Sequence, residues 1–336
     1  MSSFKVSTNN ENLPSCRVLL ASYMPNLTFV DQLHSIAGQV DVQIRLTISD
    51  DSLSLVNTQE MFADSCSALF SEIEWLEGPR KGTPVANFLS LISYVNCDSD
   101  FFAFSDQDDI WMPNKLSAAI DKLSQSGASC YSSELMIWNE GHSFHSALKS
   151  HRWREKREFY GFFFAEGAGC TLVLSRKAFM SLRQRVKQLI TSGVSHLLMS
   201  HDLFTSVYLQ ALGFSWIHDK RSFIYYRQHS SNAWGAKVFS LKGLTARFDL
   251  LANGSYMHTW CFAFYSLSPD HMVSDRCSRY GLIDLIMQFA FSSRVVQFFS
   301  AKYFGLLIFI FSHKVSLKAV TAIIRSRSIR YLSTTR

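Results

Sequence analysis

The chain has 336 residues, of which 47% are hydrophobic and 18% are charged, a composition typical of folded proteins and not of disordered ones. Its length allows a full buried core, arranged as one large domain or two small ones. The net charge of +6 comes from the C-terminal region, because Arg276 to Arg336 contain ten basic residues and a single acidic one, Asp284. The rest of the chain is slightly acidic, and we expect no nucleic-acid partner.

The seven cysteines indicate reduced thiols. Their number is odd, no two are closely spaced, and several lie in apolar runs. This pattern favours a cytoplasmic protein over a disulfide framework or a zinc site. Residues 1–15 are polar and lack the layout of a signal peptide, so we expect a short disordered lead there.

Strand and helix patterns alternate through the first half of the chain. Short apolar or alternating runs predict four strands: Arg17–Tyr23, Asp41–Ser49, Phe70–Trp75 and Phe101–Phe104. Helices are predicted between the first two strands, over Pro84–Tyr94, and from Pro113 to Leu123, where proline occupies its favoured first position. This alternation predicts a doubly wound, mostly parallel α/β sheet, whose ligands lie at the carboxyl ends of its strands.

Three carboxylates follow the fourth predicted strand directly, at Asp106, Asp108 and Asp109. Carboxylates at this spacing repel one another, which raises at least one pKa unless a cation lies between them. An all-oxygen ligand set suits Mg2+ or Mn2+ better than zinc. Helix capping is the alternative, because Asp108 and Asp109 precede a predicted helix, but capping accounts for one carboxylate, Asp109, and not for three.

The turn after the first predicted strand, Ser22 to Asn26, contains no Gly-x-Gly-x-x-Gly sequence. This excludes the usual dinucleotide-binding fingerprint and a glycine-rich phosphate loop. A bound diphosphate would therefore need a metal ion and basic side chains. The candidate basic side chains for this contact are Arg80, Lys81, Arg227 and His229.

A helix in the second half is expected to begin after Ser200, as its N-cap, and to run to Leu212, with Gly213 ending it. Asp202 lies in the first turn of this helix. Two roles are open for its carboxylate, a favourable interaction with the helix dipole and general-base catalysis toward a hydroxyl.

The C-terminal region has a different pattern. Tyr303–Phe311 is almost entirely apolar, but Lys302 and Lys314 bracket it at about half of the roughly 20 residues that a spanning helix needs. With the surrounding basic residues, this predicts a helical region over 236–336 that lies on an anionic membrane surface. The alternative is a core helix followed by a solvated basic tail.

Several motifs occur in order along the chain, namely Leu19-Leu20-Ala21-Ser22-Tyr23, Ser49-Asp50-Asp51-Ser52, Gly78-Pro79-Arg80-Lys81-Gly82, Ser105-Asp106-Gln107-Asp108-Asp109, Gly167-Ala168-Gly169-Cys170-Thr171, His201-Asp202 and Tyr226-Arg227-Gln228-His229. The ordered set resembles glycosyltransferase family 2, inverting enzymes of the GT-A fold, and especially its rhamnosyltransferase-like branch. The resemblance extends from about Arg17 to Gly235, and the set is far more specific than any single motif.

The resemblance implies a role for each matched position. It implies that Asp202 is the catalytic base and that the diphosphate is bound by Arg227 and His229. The implied ligands of the nucleotide are Ser22, Tyr23, Asp51, Lys81 and Asp106. The implied ligands of a Mn2+ or Mg2+ cofactor are Asp106, Asp108 and His229.

The resemblance also implies a GT-A domain over 16–235, with a nucleotide-binding half (16–127) and an acceptor half (128–235). The implied reaction transfers a sugar from a nucleotide-diphosphate donor, for which dTDP-L-rhamnose is the best candidate, to a glycan or lipid-linked oligosaccharide. The implied pathway is the assembly of O-antigen, capsule or another cell-surface polysaccharide. The expected location is the cytoplasmic face of the inner membrane, as a peripheral protein. Two alternatives stay open, a haloacid-dehalogenase-like phosphohydrolase that uses Asp106 and Asp108, and a non-catalytic glycan-binding scaffold.

Overall fold

The computed structural model of the protein describes residues 13–70, 73–139, 147–148, 167–228 and Thr259. The strands are β1 (Ser15–Ser22), β2 (Gln43–Asp50), β3 (Ile73–Glu77), β4 (Phe101–Ser105), β5 (Ile110–Trp111), β6 (Cys130–Asn139), β7 (Ala147–Leu148), β8 (Val173–Ser175) and β9 (Trp216–Gln228). The helices are α1 (Thr28–Ala37), α2 (Leu55–Leu69), α3 (Pro84–Tyr94), α4 (Lys115–Ser126), α5 (Arg176–Thr191) and α6 (His201–Ala211). All four predicted strands are present.

Within the described ranges, these strands form one sheet in the order β3-β2-β1-β4-β8-β6-β9-β5, with β7 beside β6. The first four strands of this order are parallel to one another, as predicted. Strand β8 is antiparallel to both β4 and β6, and β5 is antiparallel to β9, so the complete sheet is mixed. The expectation of a mostly parallel sheet is confirmed for β1 to β4, and β6 is also parallel to β9. The antiparallel pairs arise because β8 enters the sheet from the carboxyl edge of β4, after a 3-10 turn at Gly169–Thr171.

Helices cover both faces of the sheet, which confirms the doubly wound prediction. On one face α3, α5 and α6 form a core that includes the stacked pair Phe102 and Phe179, with ring centroids 3.9 Å apart. On the other face α1, α2 and α4 pack around Phe29 and Phe62. Because both faces are buried, a central strand such as β4 is apolar on both sides and shows no alternation.

Several element boundaries differ by one to three residues from the sequence prediction, and two of them, the starts of α4 and β3, have a clear cause. Helix α4 begins at Lys115 and not at Pro113, because β5 pairs with β9 and Met112 N–H still donates to Phe223 O at 2.9 Å. The chain is therefore extended just before the helix, and Pro113 lies in the intervening turn. Strand β3 begins at Ile73, because Phe70 N–H completes the end of α2 by donating to Cys66 O at 3.0 Å.

Helix α6 follows its sequence signals. Ser200 Oγ accepts a hydrogen bond from Leu203 N–H at 3.3 Å, as an N-cap does, and Gly213 has a φ of +81° after the helix end. The residue before the cap is also anchored, because Met199 N–H donates to the buried Thr259 Oγ1 at 3.0 Å. Helix α6 is thus capped and anchored at the end that carries Asp202.

Several predictions fall outside the described residues, namely most of the disordered lead, His229, and the basic C-terminal region apart from Thr259. Within the ranges that the structure describes, no helix is both long enough and apolar enough to cross a membrane.

Candidate active site

The carboxyl ends of β1, β2 and β4 meet at one edge of the sheet. In the strand register Ser22 lies beside Asp50, and Leu20 lies beside Ser105. The polar clusters that follow these strands therefore converge, as the sequence predicts for a doubly wound sheet.

A buried carboxylate organises the ends of β1 and β2. Asp50 is fully buried and accepts hydrogen bonds from Ser22 Oγ at 3.0 Å, Ser52 Oγ at 2.7 Å and Thr58 Oγ1 at 2.6 Å. Ser52 Oγ in turn accepts from Met24 N–H at 2.7 Å. The Ser22 hydroxyl is thus part of an internal network, and its contact with a nucleotide stays a prediction.

Asp51 holds the loop between β3 and α3. Its carboxylate is almost completely buried and accepts from the backbone N–H groups of Lys81, at 3.2 Å, and Gly82, at 2.6 Å. Gly78 makes this approach feasible, because a Cβ at that position would lie 2.7 Å from Asp51 Cα. The predicted nucleotide ligands Asp51 and Lys81 therefore lie side by side.

We expect Gly78→Ala to lower both the stability of the protein and its affinity for the predicted nucleotide ligand. The added methyl group has no room against the Asp51 backbone, so the loop that carries Lys81 must move away. Tm should fall by several degrees, and the Kd of the nucleoside diphosphate, measured calorimetrically, should rise about tenfold or more. Gly127→Asn is the control for binding, because a Cβ there meets nothing within 4 Å and asparagine is the side chain that best tolerates the φ of +65° at this position. An unchanged Kd in Gly78→Ala would contradict the proposed loop contact.

Gln107 joins the turn after β1 to the carboxylate cluster, a role that the sequence did not reveal. Its side-chain oxygen accepts from Tyr23 N–H at 2.8 Å, and its amide nitrogen donates to Tyr23 O at 3.1 Å. The two residues are 84 positions apart, so no local pattern marks the pair. The contact leaves the Tyr23 side chain half exposed at the edge of the site.

The carboxylates after β4 are electrostatically strained. Burial, followed by the charges of Asp108 and Asp202, raises the pKa of Asp106 to about 7. Burial and the charges of Asp106 and Asp108 raise the pKa of Asp109 well above its usual range. This repulsion is the one predicted from the sequence, and a cation would relieve it.

Asp109 is not a helix cap, which corrects one interpretation of the sequence. It is fully buried, six residues before α4 begins, and its Oδ1 accepts from Arg227 N–H at 3.4 Å. Its Oδ2 has no hydrogen-bond partner. The carboxylate faces the interior of the site and not the first turn of the helix.

Asp202 lies on the Asp106 side of α6, because the ring of the preceding residue, His201, meets Phe104 on β4 at 5.7 Å, and the Asp202 charge contributes to the raised pKa of Asp106. Its Oδ1 also accepts from Leu203 N–H at 2.7 Å, in the first turn of α6. The dipole interaction expected from the sequence is therefore present, and the carboxylate is also brought to the cluster.

Cys170 completes the cluster, although the sequence analysis did not single it out as a site residue. Ligand atoms of Asp106, Asp109 and Cys170 all lie within 4.8 Å of one another. Burial, and then the charges of Asp109 and Asp106, raises the thiol pKa well above its usual range, so Cys170 is protonated at neutral pH. The carboxylates of Asp106 and Asp109 thus offer the oxygen ligands that a hard divalent cation prefers, whereas the protonated thiol does not. Among the described residues this group does not include Asp108, whose role as a ligand stays a prediction.

Arg227 is buried and positions the carboxylate loop. Its Nε donates to Asp108 O at 3.0 Å, and a terminal nitrogen donates to Asp31 Oδ2 on α1 at 2.8 Å. The guanidinium also lies over the Trp138 ring, 4.4 Å from its centroid. Its predicted contact with the diphosphate stays a prediction.

Replacing Arg227 by lysine separates these two roles. Lysine keeps the charge but lacks the planar fork that contacts Asp108 O and Asp31 together. We expect the activity implied by the resemblance, turnover of a nucleotide sugar, to fall about tenfold or more and Tm to fall by a few degrees. Lys220→Arg on the same strand is the control. Full activity in Arg227→Lys would show that only the charge is needed.

The acceptor half contains a second buried polar group that the sequence analysis missed. His218 Nδ1 lies 2.9 Å from Ser132 Oγ, and its Nε2 lies 3.2 Å from Glu134 Oε1. These contacts connect β6 to β9. Ser132 is fully buried, so the group joins the strands and offers no exposed nucleophile.

Comparisons with known proteins agree with this geometry. The family model described as Glycosyl transferase family 2 matches residues 28–183. The dTDP-rhamnosyl transferase RfbG of Shigella flexneri is 30% identical over 274 residues, which cover 81% of this chain and 92% of that protein.

Solved structures of S. aureus TarS are also similar. One covers 84% of this chain, with a TM-score of 0.45 and 11% identity, and the chain spans 50% of that TarS chain. A structure of TarS 1–349 in complex with UDP-GlcNAc covers 94% of this chain and 92% of that one, at the same TM-score and identity. The match to RfbG over most of both chains is the decisive one. On that match the chain belongs to glycosyltransferase family 2, and it is a glycosyltransferase that uses a nucleotide-sugar donor.

Proposed function

We propose that the protein transfers L-rhamnose from dTDP-L-rhamnose to a hydroxyl of a glycan, with inversion at the anomeric carbon. The observation that carries the choice of donor is the 30% identity to a dTDP-rhamnosyl transferase over 92% of its length. Membership in a glycosyltransferase family argues against the phosphohydrolase alternative, in which Asp106 would be a nucleophile. The proposed pathway is the assembly of O-antigen, capsule or a related cell-surface polysaccharide.

The proposed catalytic base is Asp202, which accepts the proton of the acceptor hydroxyl as that oxygen attacks the sugar. The position of Asp202 is held by the N-terminus of α6, which is capped by Ser200 and anchored through Met199. A single displacement with inversion needs one base and no covalent intermediate. The haloacid-dehalogenase mechanism, by contrast, would require Asp106 to form a bond with phosphorus.

The proposed cofactor is Mn2+ or Mg2+, held by Asp106 and Asp108, with His229 as a further ligand. The bound ion would neutralise the charge that develops on the leaving nucleoside diphosphate. The protein's own part is to hold the carboxylate loop in place. Gln107 holds the loop through Tyr23, in the turn after β1, and Arg227 on β9 holds it through the Asp108 carbonyl oxygen.

The experiment is turnover of dTDP-L-rhamnose by the purified full-length protein with Mn2+, followed as dTDP release. UDP-galactose and UDP-N-acetylglucosamine serve as competing donors. We expect dTDP release that is lost in Asp108→Ala, because a metal ligand is removed. A non-catalytic scaffold would bind donors without turnover, and phosphate trapped covalently on Asp106 would support a phosphohydrolase.

We also propose that the acceptor is lipid-linked and that the protein works at the cytoplasmic face of the inner membrane. The support is the basic, apolar sequence pattern between Arg276 and Arg336, which lies outside the described residues. We expect truncation after Val295 to move the protein from the membrane fraction to the soluble fraction while dTDP still binds. An unchanged membrane fraction would contradict this location.

A further inference from the structure

The first residue of α6, His201, is clamped inside the core next to the proposed base. Its imidazole stacks on the Phe88 ring, with centroids 3.8 Å apart and an interplanar angle of 22°. It meets Phe104 edge-on, at 5.7 Å and 89°. Phe88 belongs to α3 and Phe104 to β4, so the ring lies against two separate elements.

A third contact comes from the backbone of Gly169. A Cβ at that position would overlap with His201 Nε2 and would lie 2.9 Å from Cε1. The imidazole therefore occupies a slot that exists only because residue 169 has no side chain. Nε2 is buried there and has no hydrogen-bond partner, so the contact is steric and not polar.

Two of these contacts, those with Phe104 and Gly169, lead directly to the carboxylate cluster. Phe104 is two residues before Asp106, and Gly169 precedes Cys170, whose Sγ is within 4.8 Å of the Asp106 carboxylate. His201 itself precedes Asp202. One side chain thus touches both segments that carry the cluster and also begins the helix that carries the base.

We propose that His201 is a positioning residue, whose imidazole fits the slot at Gly169 and sets the distance between Asp202 and the Asp106 carboxylate. This inference rests on the proposed function, because it assumes that Asp202 accepts the acceptor proton. His201 takes no part in proton transfer, since burial lowers its pKa and its Nε2 faces the glycine backbone. The imidazole acts through its shape, by filling the space beside Gly169.

The inference predicts a specific pattern in a double-mutant cycle of His201→Ala and Gly169→Ala. Either change alone releases or displaces the ring, so each should lower kcat by about 10- to 100-fold. The donor Kd, measured calorimetrically for dTDP-L-rhamnose with Mn2+, should stay within about twofold of wild type, because β4, which leads to the donor ligand Asp106, is held between β1 and β8, and the change falls on α6. Gly169→Ala acts through the ring, so the double variant should have the kcat of His201→Ala and no lower value.

Tm measurements on the same four proteins test the slot without using activity. Gly169→Ala should lower Tm in the wild-type background but much less in the His201→Ala background, where the space is free. Leu182→Ala on α5 is the control for a weakened core, because Leu182 is buried in the same hydrophobic core. It should lower Tm and leave kcat within about threefold of wild type. His201→Gln keeps a flat polar group in the slot, and it should keep more activity than His201→Ala.

Three outcomes would overturn the inference. They are a kcat of His201→Ala within about threefold of wild type, losses that multiply in the double variant, and a Gly169→Ala effect on Tm that does not depend on residue 201. Failure of the proposed function is distinct, because the wild-type protein would then turn over no nucleotide sugar while the Tm cycle still reports the slot.

Discussion

Asp202→Asn is expected to reduce sugar transfer by about a thousandfold and to leave donor binding unchanged. General-base catalysis contributes about 10²- to 10⁴-fold, and asparagine cannot accept the acceptor proton. The structure predicts that the helix tolerates the change. Asp202 Oδ1 accepts from Leu203 N–H at 2.7 Å, and the amide oxygen of asparagine can accept the same hydrogen bond. The measurements are kcat for transfer or hydrolysis and the Kd of dTDP-L-rhamnose.

Asp64→Asn is the matched control, because Asp64 is an exposed carboxylate on α2. It should retain wild-type kcat. If Asp202→Asn transfers sugar at the wild-type rate, Asp202 is not the base. If it loses donor binding in proportion to transfer, the carboxylate acts on the donor and not on the acceptor.

Asp106→Asn is expected to abolish turnover and yet to stabilise the metal-free protein at pH 8. The folded protein raises the pKa of Asp106 from 3.8 to about 7, through burial and the charges of Asp108 and Asp202. Between these values the folded state binds more protons than the unfolded state, so the contribution of Asp106 to stability falls as pH rises. Above pH 7 the full cost of the buried charge is present, and asparagine removes it.

The expected increase in Tm of metal-free Asp106→Asn at pH 8 is at least about 2 °C, and it should disappear near pH 4. Mn2+ should raise the Tm of the wild type at pH 8 and have little effect on the variant, because the ion loses a ligand. Asp121→Asn on α4 is the control for a simple change of net charge. A lower Tm in Asp106→Asn at pH 8 would contradict the account of carboxylate repulsion.

Sequence patterns predicted those parts of the site that depend on residues close together in the chain. A buried strand followed by polar residues is visible in the sequence, so the convergence of Ser22, Asp51 and Asp106 at one sheet edge could be predicted from a parallel topology. The cap at Ser200 is equally local, and it correctly placed Asp202 in the first turn of α6. Charge repulsion among adjacent carboxylates also needs no tertiary information.

The parts that the sequence did not reveal depend on residues far apart in the chain. Gln107 finds its partner Tyr23 across 84 positions, and the slot for His201 is made by Gly169. The interpretation of Asp109 as a cap failed for a related reason. Strand β5 pairs with β9 and delays the helix, a pairing that no local pattern encodes. The sequence identified Arg227 as a basic side chain that could bind the diphosphate, but only the fold shows that it contacts Asp108 O and Asp31.

The most direct test of the central claim is the anomeric configuration of the first product. In the proposed mechanism a single displacement occurs at the anomeric carbon, with Asp202 activating the attacking oxygen. Proton NMR of rhamnose released by the wild-type protein, recorded before the free sugar equilibrates, reports this configuration even when water is the acceptor. The account predicts that the released sugar has the anomeric configuration opposite to that of the donor, and that Asp202→Asn releases about a thousandfold less of it. Retained configuration would contradict the account, because it would require a covalent sugar intermediate and a nucleophile that the proposed mechanism does not contain.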